Sequence, residues 1–131
     1  MSFAWLGLEV ILAIHEAQIA EHGGALGIRD AGLVESALAA PRALAAYGNH
    51  DLCYLAAAYG HALIHNHGFI DGNKRTAYVA TLLFLELGGA RLAAPLAERV
   101  LVFERLGAGD MTREDFAAWL RRWKEPSRLS G

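Results

Sequence analysis

The sequence has a single cysteine, Cys53, and no excess of positive charge, because its formal net charge is −2. One cysteine can form neither a disulfide framework nor a thiolate metal cluster, so a reduced, cytoplasmic setting is expected. The lack of a basic field argues against direct binding of nucleic acid. The basic residues at 121–124 form one local patch, for which a solvated helix end is the ordinary interpretation.

No apolar run is long enough to cross a bilayer, which takes about 20 residues. The longest apolar segment, residues 76–87, is too short, and the apolar stretch near the N-terminus is interrupted by Glu9 and has no basic region before it. No contact with a membrane is therefore expected. The 131 residues are 54% hydrophobic and 20% charged, which predicts one folded domain spanning residues 1–131.

Apolar residues recur at helical spacing along most of the chain, and no alternating strand pattern of useful length is present. Helices are predicted over residues 9–19, 30–38, 52–64, 76–87, 95–106 and 112–123, with Asp30, Asp51 and Thr112 as N-caps. Pro41 should end or kink the second helix. The prediction is an all-α bundle of about six helices around residues 76–87 as the buried central helix, with a β element possible only as a short flap hairpin at residues 22–28.

The nine residues from His67 to Arg75 combine several groups that handle phosphate. His67 can exchange a proton near neutral pH, Asp71 is a hard oxygen ligand of the kind Mg²⁺ prefers, and Gly72 permits close approach of backbone to an anion. Lys74 and Arg75 lie at a helix N-terminus, where each positive charge is unfavourable by roughly 0.3–1 kcal/mol. Two cations at this position therefore indicate a bound anion.

Other residues of this segment have ordinary explanations beside the functional one. Phe69 is predicted to anchor the loop in the core, and Asn73 could cap the following helix or offer its amide to a ligand. His61 and His65 have the i, i+4 spacing of a zinc site, but only Asp71 is available as a third ligand, so ordinary helix histidines are favoured. The concentration of reactive groups within nine residues is what favours an active site.

The same string resembles the signature of the Fic/Doc family, H-x-F-x-(D/E)-(G/A)-N-(G/K)-R. Every required position is filled, by His67, Phe69, Asp71, Gly72, Asn73, Lys74 and Arg75. Residues 23–41 also look like the N-terminal pattern of death-on-curing (Doc) toxins, and the resemblance extends over nearly the whole chain. It implies a Fic/Doc-like helical bundle.

Two positions indicate which branch of the family the chain resembles. Fic adenylyltransferases carry Gly after the Asn and a second Arg further on, where this sequence has Lys74 and Tyr78. Lys is the Doc variant, which implies a Mg²⁺-dependent phosphotransferase that moves the γ-phosphate of ATP to a threonine of elongation factor Tu and so blocks translation. A Fic-type protein adenylyltransferase (AMPylation) and a degenerate Fic-like binding domain remain the alternatives.

The resemblance also implies residue roles and a partner. In those roles His67 takes the proton of the attacking hydroxyl and Asp71 holds Mg²⁺, while the transferred phosphoryl group is bound by Gly72, Asn73, Lys74 and Arg75. The loop at residues 22–28 corresponds to the family's flap, which aligns the backbone of the target. The implied partner is an antitoxin of the prevents-host-death type, completing a bacterial type II toxin–antitoxin pair.

Overall fold

The computed structural model describes residues 2–128, which form six helices and two short strands. In chain order these are α1 (Leu8–His22), α2 (Ala31–Ala46), α3 (Leu52–Asn66), α4 (Asn73–Leu87), β1 (Ala90–Leu92), α5 (Leu96–Ala108), α6 (Arg113–Trp123) and β2 (Lys124–Pro126). The predicted all-α bundle of about six helices is confirmed. Within the described residues, no helix has the length and apolarity needed to cross a membrane.

The N-caps of the helices test the predictions made from local sequence. Side-chain oxygens of Asp30, Asp51 and Thr112 accept backbone N–H bonds at the starts of α2, α3 and α6, which confirms all three predicted N-caps. The predicted capping of α4 by Asn73 is wrong, because α4 has Gly72 as its N-cap and Asn73 as its first residue. The helix thus starts three residues before the predicted position 76.

The helix α2 passes through Pro41 and ends only at Ala46, so of the two effects predicted for this proline, an end or a kink, the end is wrong. Proline removes one backbone hydrogen bond from a helix interior. Here the ring of Pro41 is itself buried, on the same face as Val34 and Leu38. Burial of this face holds α2 together across the missing bond.

The central helix of the bundle is α3 and not α4, contrary to the sequence-based prediction. Helix α3 packs against α2, α4, α5 and α6, and nine of its fifteen residues are buried. Its small side chains allow this: a Cβ added at Gly60 would lie 2.4 Å from the hydroxyl of Thr81 on α4. Helix α4 is apolar on most sides, yet Leu87 is exposed and Leu82 is only half-buried.

The two strands lie where no strand was predicted. Residues Ala90–Leu92 pair antiparallel with Lys124–Pro126, so the segment after α4 and the segment after α6 join at one edge of the bundle. Of the two forms expected for residues 22–28, a loop or a short hairpin, the structure has the loop, with an isolated bridge between Ile28 and Phe69. Three-residue strands carry no readable alternation, and their pairing depends on helices that bring distant segments together.

Candidate active site

The motif loop, residues 67–75, connects the end of α3 to the start of α4. His67 is the C-cap of α3 and has left-handed backbone angles, φ 50° and ψ 48°. Arg29 satisfies the carbonyls at this helix end, with Nε 2.7 Å from the oxygen of His67 and Nη2 3.3 Å from that of Asn66. His67 is thereby held at the start of the motif loop, with its side chain exposed.

Phe69 and Asn73 hold the loop together from inside. The Phe69 side chain is 2% exposed, which confirms its predicted role as an anchor in the core. The amide of Asn73 bonds the backbone of Phe69 twice, accepting from its N–H at 3.0 Å and donating to its carbonyl at 2.9 Å. The side chain of Asn73 therefore braces the loop, and its Nδ2 lies 3.4 Å from Nδ1 of His67.

The start of α4 presents unpaired backbone donors. Gly72 is left-handed with φ 76°, and the first helical bond runs from the N–H of Thr76 to the Gly72 carbonyl. The N–H groups of Asn73, Lys74 and Arg75 precede that bond and have no acceptor within the helix. A left-handed residue followed by helical ones gathers such N–H groups into a concave anion site, and the helix dipole adds positive potential there.

The two predicted cations of this site are both engaged within the chain. Lys74 forms an ion pair with Glu104 of α5, and Arg75 donates a hydrogen bond to the carbonyl of Gly23 at 3.1 Å. The Glu104 carboxylate is thus the anion that meets Lys74 in this structure. Arg75 in turn links α4 to the flap.

Asp71 is exposed and tied to the flap through one of its two oxygens. Oδ2 accepts a hydrogen bond from the N–H of Ala25 at 2.7 Å, whereas Oδ1 accepts none from residues 2–128. No cluster of three or more His, Cys, Asp or Glu side chains suited to a metal ion is found within these residues. A single free carboxylate oxygen fits Mg²⁺, which commonly takes one or two carboxylates and completes its shell with water and phosphate oxygens.

The flap runs alongside the motif loop and is bonded to it at several points. The carbonyl of Gly68 accepts the N–H groups of Arg29 at 2.8 Å and Asp30 at 3.0 Å, and the N–H of Ile70 donates to the carbonyl of Gly27 at 3.1 Å. Gly68 is needed at this crossing because an added Cβ would lie 2.4 Å from a methyl group of α2. Three large apolar side chains remain exposed on this side of the site, those of Leu26, Ile28 and Ile70.

The Lys74–Glu104 pair lines two open cavities. One, of about 390 Å³, is lined by His67, Asn73 and the pair, together with Ile64 and the end of α5. The other is a mainly apolar groove of about 410 Å³ between α4 and α5, which also contains Arg75, Tyr78 and Arg99. His67, the start of α4 and a mainly apolar groove therefore adjoin each other.

The comparison with known proteins agrees with this geometry. The family model described as the Fic/DOC family matches residues 5–85, which include the whole motif loop. The chain belongs to the Fic/DOC family. The helices α5 and α6 lie outside the matched residues, and so do Glu104 and Arg99.

Two relatives are similar to part of this Fic/DOC chain. The chain is 45% identical over 75 residues to "Toxin Doc" of Mycolicibacterium smegmatis (strain ATCC 700084 / mc(2)155), covering 55% of this chain and 57% of that protein. It is 38% identical over 85 residues to "Protein kinase doc" of Escherichia phage P1, covering 64% and 68% respectively. The matched segment thus spans little more than half of one relative and about two thirds of the other.

The sequence-based prediction of the site omitted three residues that contact its predicted members. Arg29, which lies just before α2, and Glu104 of α5 both contact the motif loop. No local pattern in the sequence reveals such long-range contacts. His15 of α1 had a readable signal, because it is a polar residue between Ile11 and Ile19 on an otherwise apolar buried face.

The rings of His61 and His65 stack on α3 with their centroids 5.6 Å apart. Burial is the main cause that lowers the pKa of His61, and the neighbouring His65 lowers it further.

Proposed function

We propose that the chain is the toxin of a toxin–antitoxin pair and transfers the γ-phosphate of ATP to a hydroxyl of a protein target. The observation that carries the proposal is that His67, the start of α4 and Lys74 line one cavity. Phosphoryl transfer needs positioning and charge stabilisation more than covalent chemistry from the protein. The names of the two relatives, a toxin and a protein kinase, point the same way.

In the proposed reaction the target hydroxyl oxygen attacks the γ-phosphorus, the bond from that phosphorus to the β–γ bridging oxygen breaks, and ADP leaves. His67 takes the hydroxyl proton on a ring nitrogen. His67 can accept this proton at Nε2 only when the neutral ring carries its own proton on Nδ1. In that tautomer Nδ1 and the Asn73 Nδ2 are both donors, so their 3.4 Å contact is not a hydrogen bond. Proton acceptance at Nε2 therefore excludes a hydrogen bond from the Asn73 amide to Nδ1.

The phosphoryl group would lie on the N–H groups at the start of α4, with Arg75 and Lys74 balancing the charge that develops on its oxygens. Lys74 has three N–H donors, so it can contact phosphate beside Glu104, although the negative charge of that carboxylate opposes the binding. Asp71 would hold Mg²⁺ through its free Oδ1, and the ion, when bound, would neutralise charge on the phosphate oxygens. The backbone of the motif loop is braced by Asn73 before any ligand binds.

The target would approach along the flap. The flap is extended at Ile28, where it already forms a bridge with Phe69, and its exposed apolar side chains offer contacts to a target segment in extended conformation. By family resemblance the target is a threonine of elongation factor Tu, whose modification would block translation. The proposed partner is an antitoxin of the prevents-host-death type, and both act in the cytoplasm.

One observation favours the alternative reaction, protein adenylylation. Tyr78 occupies the position of the second arginine, but Arg99 of α5 donates to its hydroxyl at 3.1 Å. The carbonyls of Ala94 and Leu92 hold the same guanidinium at 2.7 and 3.2 Å. A fixed cation is therefore present beside Tyr78, in the groove that also contains Lys74 and Arg75, and it could bind terminal phosphates.

The deciding experiment incubates the protein with Mg²⁺, purified elongation factor Tu and ATP labelled at the α- or the γ-phosphate. A His67→Ala variant tests the proton acceptor, and a His50→Ala variant replaces an exposed histidine outside the site as a matched control. Label from the γ-phosphate that is lost only in His67→Ala supports phosphotransfer. Label from the α-phosphate indicates adenylylation, and no label with either nucleotide contradicts both reactions in favour of a binding domain.

The toxin role has a separate test. Expression of the chain alone should arrest growth of a bacterial host, and co-expression of the neighbouring antitoxin gene should restore it. His67→Ala should abolish the arrest, whereas His50→Ala should retain it. Growth unaffected by the wild-type chain at a confirmed protein level would contradict the toxin role.

A further inference from the structure

Helix α1 contributes a buried histidine to the motif loop. His15 is 3% exposed, and its ring stacks on that of Phe69 with centroids 3.8 Å apart and planes 9° from parallel. Its Nε2 lies 2.8 Å from the main-chain oxygen of Asp71. The flanking residues on the same helix face, Ile11 and Ile19, are apolar, so a residue that only filled space here would be apolar as well.

The hydrogen bond determines how the Asp71–Gly72 peptide is oriented. A carbonyl oxygen can only accept, so Nε2 of His15 carries the proton and donates it. The structure has no cis peptide bond in the described residues, and in a planar trans peptide the C=O and N–H vectors point in opposite directions. With the Asp71 carbonyl turned toward α1, the N–H of Gly72 points away from α1.

Gly72 itself is packed closely on the same face of α1. An added Cβ would lie 3.1 Å from Cδ1 of Ile19 and 3.6 Å from Nε2 and Cδ2 of His15. With φ 76° it is the left-handed residue that opens the anion site at the start of α4. Rotation of the Asp71–Gly72 peptide would exchange the directions of the Asp71 carbonyl and the Gly72 N–H.

We propose that His15 is a positioning residue that holds the Asp71–Gly72 peptide so that the Gly72 N–H donates to the phosphate. The inference rests on the proposed function, because it assigns the α4 anion site to phosphate. His15 acts through Asp71 and Gly72 and does not touch the reacting atoms. It therefore contributes to the rate by orienting a donor before the substrate arrives.

Two substitutions separate the hydrogen bond from the stacking. His15→Phe retains an aromatic ring against Phe69 and removes the donor, whereas His15→Gln retains an N–H donor at a similar reach and removes the ring. His50→Phe is the matched control, since it makes the same exchange at an exposed histidine stacked on Phe3. The variants are compared in kcat and KM for ATP after thermal unfolding has established that each is folded.

We expect His15→Phe to lower kcat roughly ten- to a hundred-fold, somewhat less than the loss of a direct transition-state donor, and to change KM for ATP by less than about threefold. His15→Gln should recover most of kcat, and His50→Phe should match the wild type. Equal losses in the Phe and Gln variants would overturn the proposal, because the ring and not the donor would then be responsible. An unchanged kcat in folded His15→Phe would overturn it as well.

A second readout does not require catalysis. In ¹⁵N–¹H NMR spectra, titration with inorganic phosphate should shift the Gly72 amide of the wild type and leave it nearly unmoved in His15→Phe. Absence of a shift in the wild type, or an equal shift in both proteins, would overturn the proposal. If the wild type labels no target but this difference is present, the proposed reaction fails and the role of His15 stands.

The wild-type protein alone also provides a test, which matters if His15→Phe does not fold. Long-range ¹⁵N–¹H spectra distinguish a histidine protonated at Nε2 from one protonated only at Nδ1. His15 should carry its proton on Nε2 in the free protein. A ring protonated only at Nδ1 could not donate to the Asp71 carbonyl, and the proposal would be wrong.

Discussion

Replacement of Glu104 by Gln should strengthen the binding of Mg²⁺–ATP. The carboxylate pairs with Lys74, the cation assigned to the transferred phosphate, and both side chains line both cavities at the site. A triphosphate bound at Lys74 competes with Glu104 for the ammonium group and lies near the negative charge of the carboxylate. Glutamine removes that charge while keeping the size and shape of the side chain.

The magnitude follows from the exposure of the pair. The Lys74 and Glu104 side chains are 44% and 60% exposed, so their attraction is screened by water and is worth about 0.2–1 kcal/mol. Repulsion between Glu104 and one phosphate charge at about 4 Å adds about 1 kcal/mol in water. The sum of about 1.2–2 kcal/mol predicts a Kd for ATP lower by roughly eight- to thirty-fold in Glu104→Gln, with most of the gain lost at high salt.

The assay is calorimetric titration of Mg²⁺–ATP at about 50 mM and about 300 mM salt, between which the screening length shortens. Glu125→Gln is the matched control, because it breaks the similarly exposed Arg91–Glu125 pair in the β1–β2 sheet. A Lys74→Met variant should bind ATP weakly and gain less from the added Glu104→Gln change. A Kd that is unchanged or higher in Glu104→Gln would refute the reasoning and would mean that Glu104 orients Lys74 for the nucleotide.

Four further outcomes test the fold and the motif loop. Gly60→Ala should lower the free energy of unfolding by about 1–3 kcal/mol in denaturant titration, because the added methyl group overlaps α4 and α6; unchanged stability would contradict the tight crossing. Asn73→Ala leaves the buried N–H and C=O of Phe69 unpaired and should cost about 2–5 kcal/mol, whereas a loss of activity without a loss of stability would contradict the bracing role. Thr76→Val removes a buried hydroxyl that has no hydrogen-bond partner among residues 2–128, so melting temperatures should show equal or greater stability, and a clear decrease would reveal a hidden partner. Burial chiefly lowers the pKa of His61, so as pH falls below about 6.5 the unfolded chain binds this proton before the folded protein does. The free energy of unfolding therefore decreases until the pH has passed the lower folded pKa. His61→Gln should flatten this part of the stability–pH curve, and an unchanged curve would refute the assignment.

The sequence predicted those parts of the site that depend on neighbouring residues. The spacing from His67 to Arg75 and the burial of Phe69 required only local chemistry and one apolar anchor. The bracing of the loop by Asn73 was not predictable, because an amide at a helix start can equally well cap the helix. Only the path of the loop decides between bracing and capping. The partner of Lys74 was also hidden, since Glu104 lies thirty residues further along the chain.

The fold shows the same division between local and distant information. Helices and their caps followed from residues within one or two turns, as at Asp30 and Asp51. The packing of the helices did not, because the mostly apolar α4 was predicted to be the central helix, whereas the alanine-rich α3 holds that place. Small side chains decide which helix can be surrounded, and hydrophobicity alone does not report that property.

The carbonyl of Gly68 links the motif loop to the start of α2, because it receives N–H groups from Arg29, the residue that follows the flap, and from Asp30, the N-cap of α2. Displacing Arg29 would break one of these bonds and would also remove its side chain from the carbonyls at the end of α3. The base of the flap is therefore fixed to two helices when the protein folds. A target segment that binds to it meets an edge whose ordering entropy was lost during folding, so selection among targets rests on their own ability to become extended.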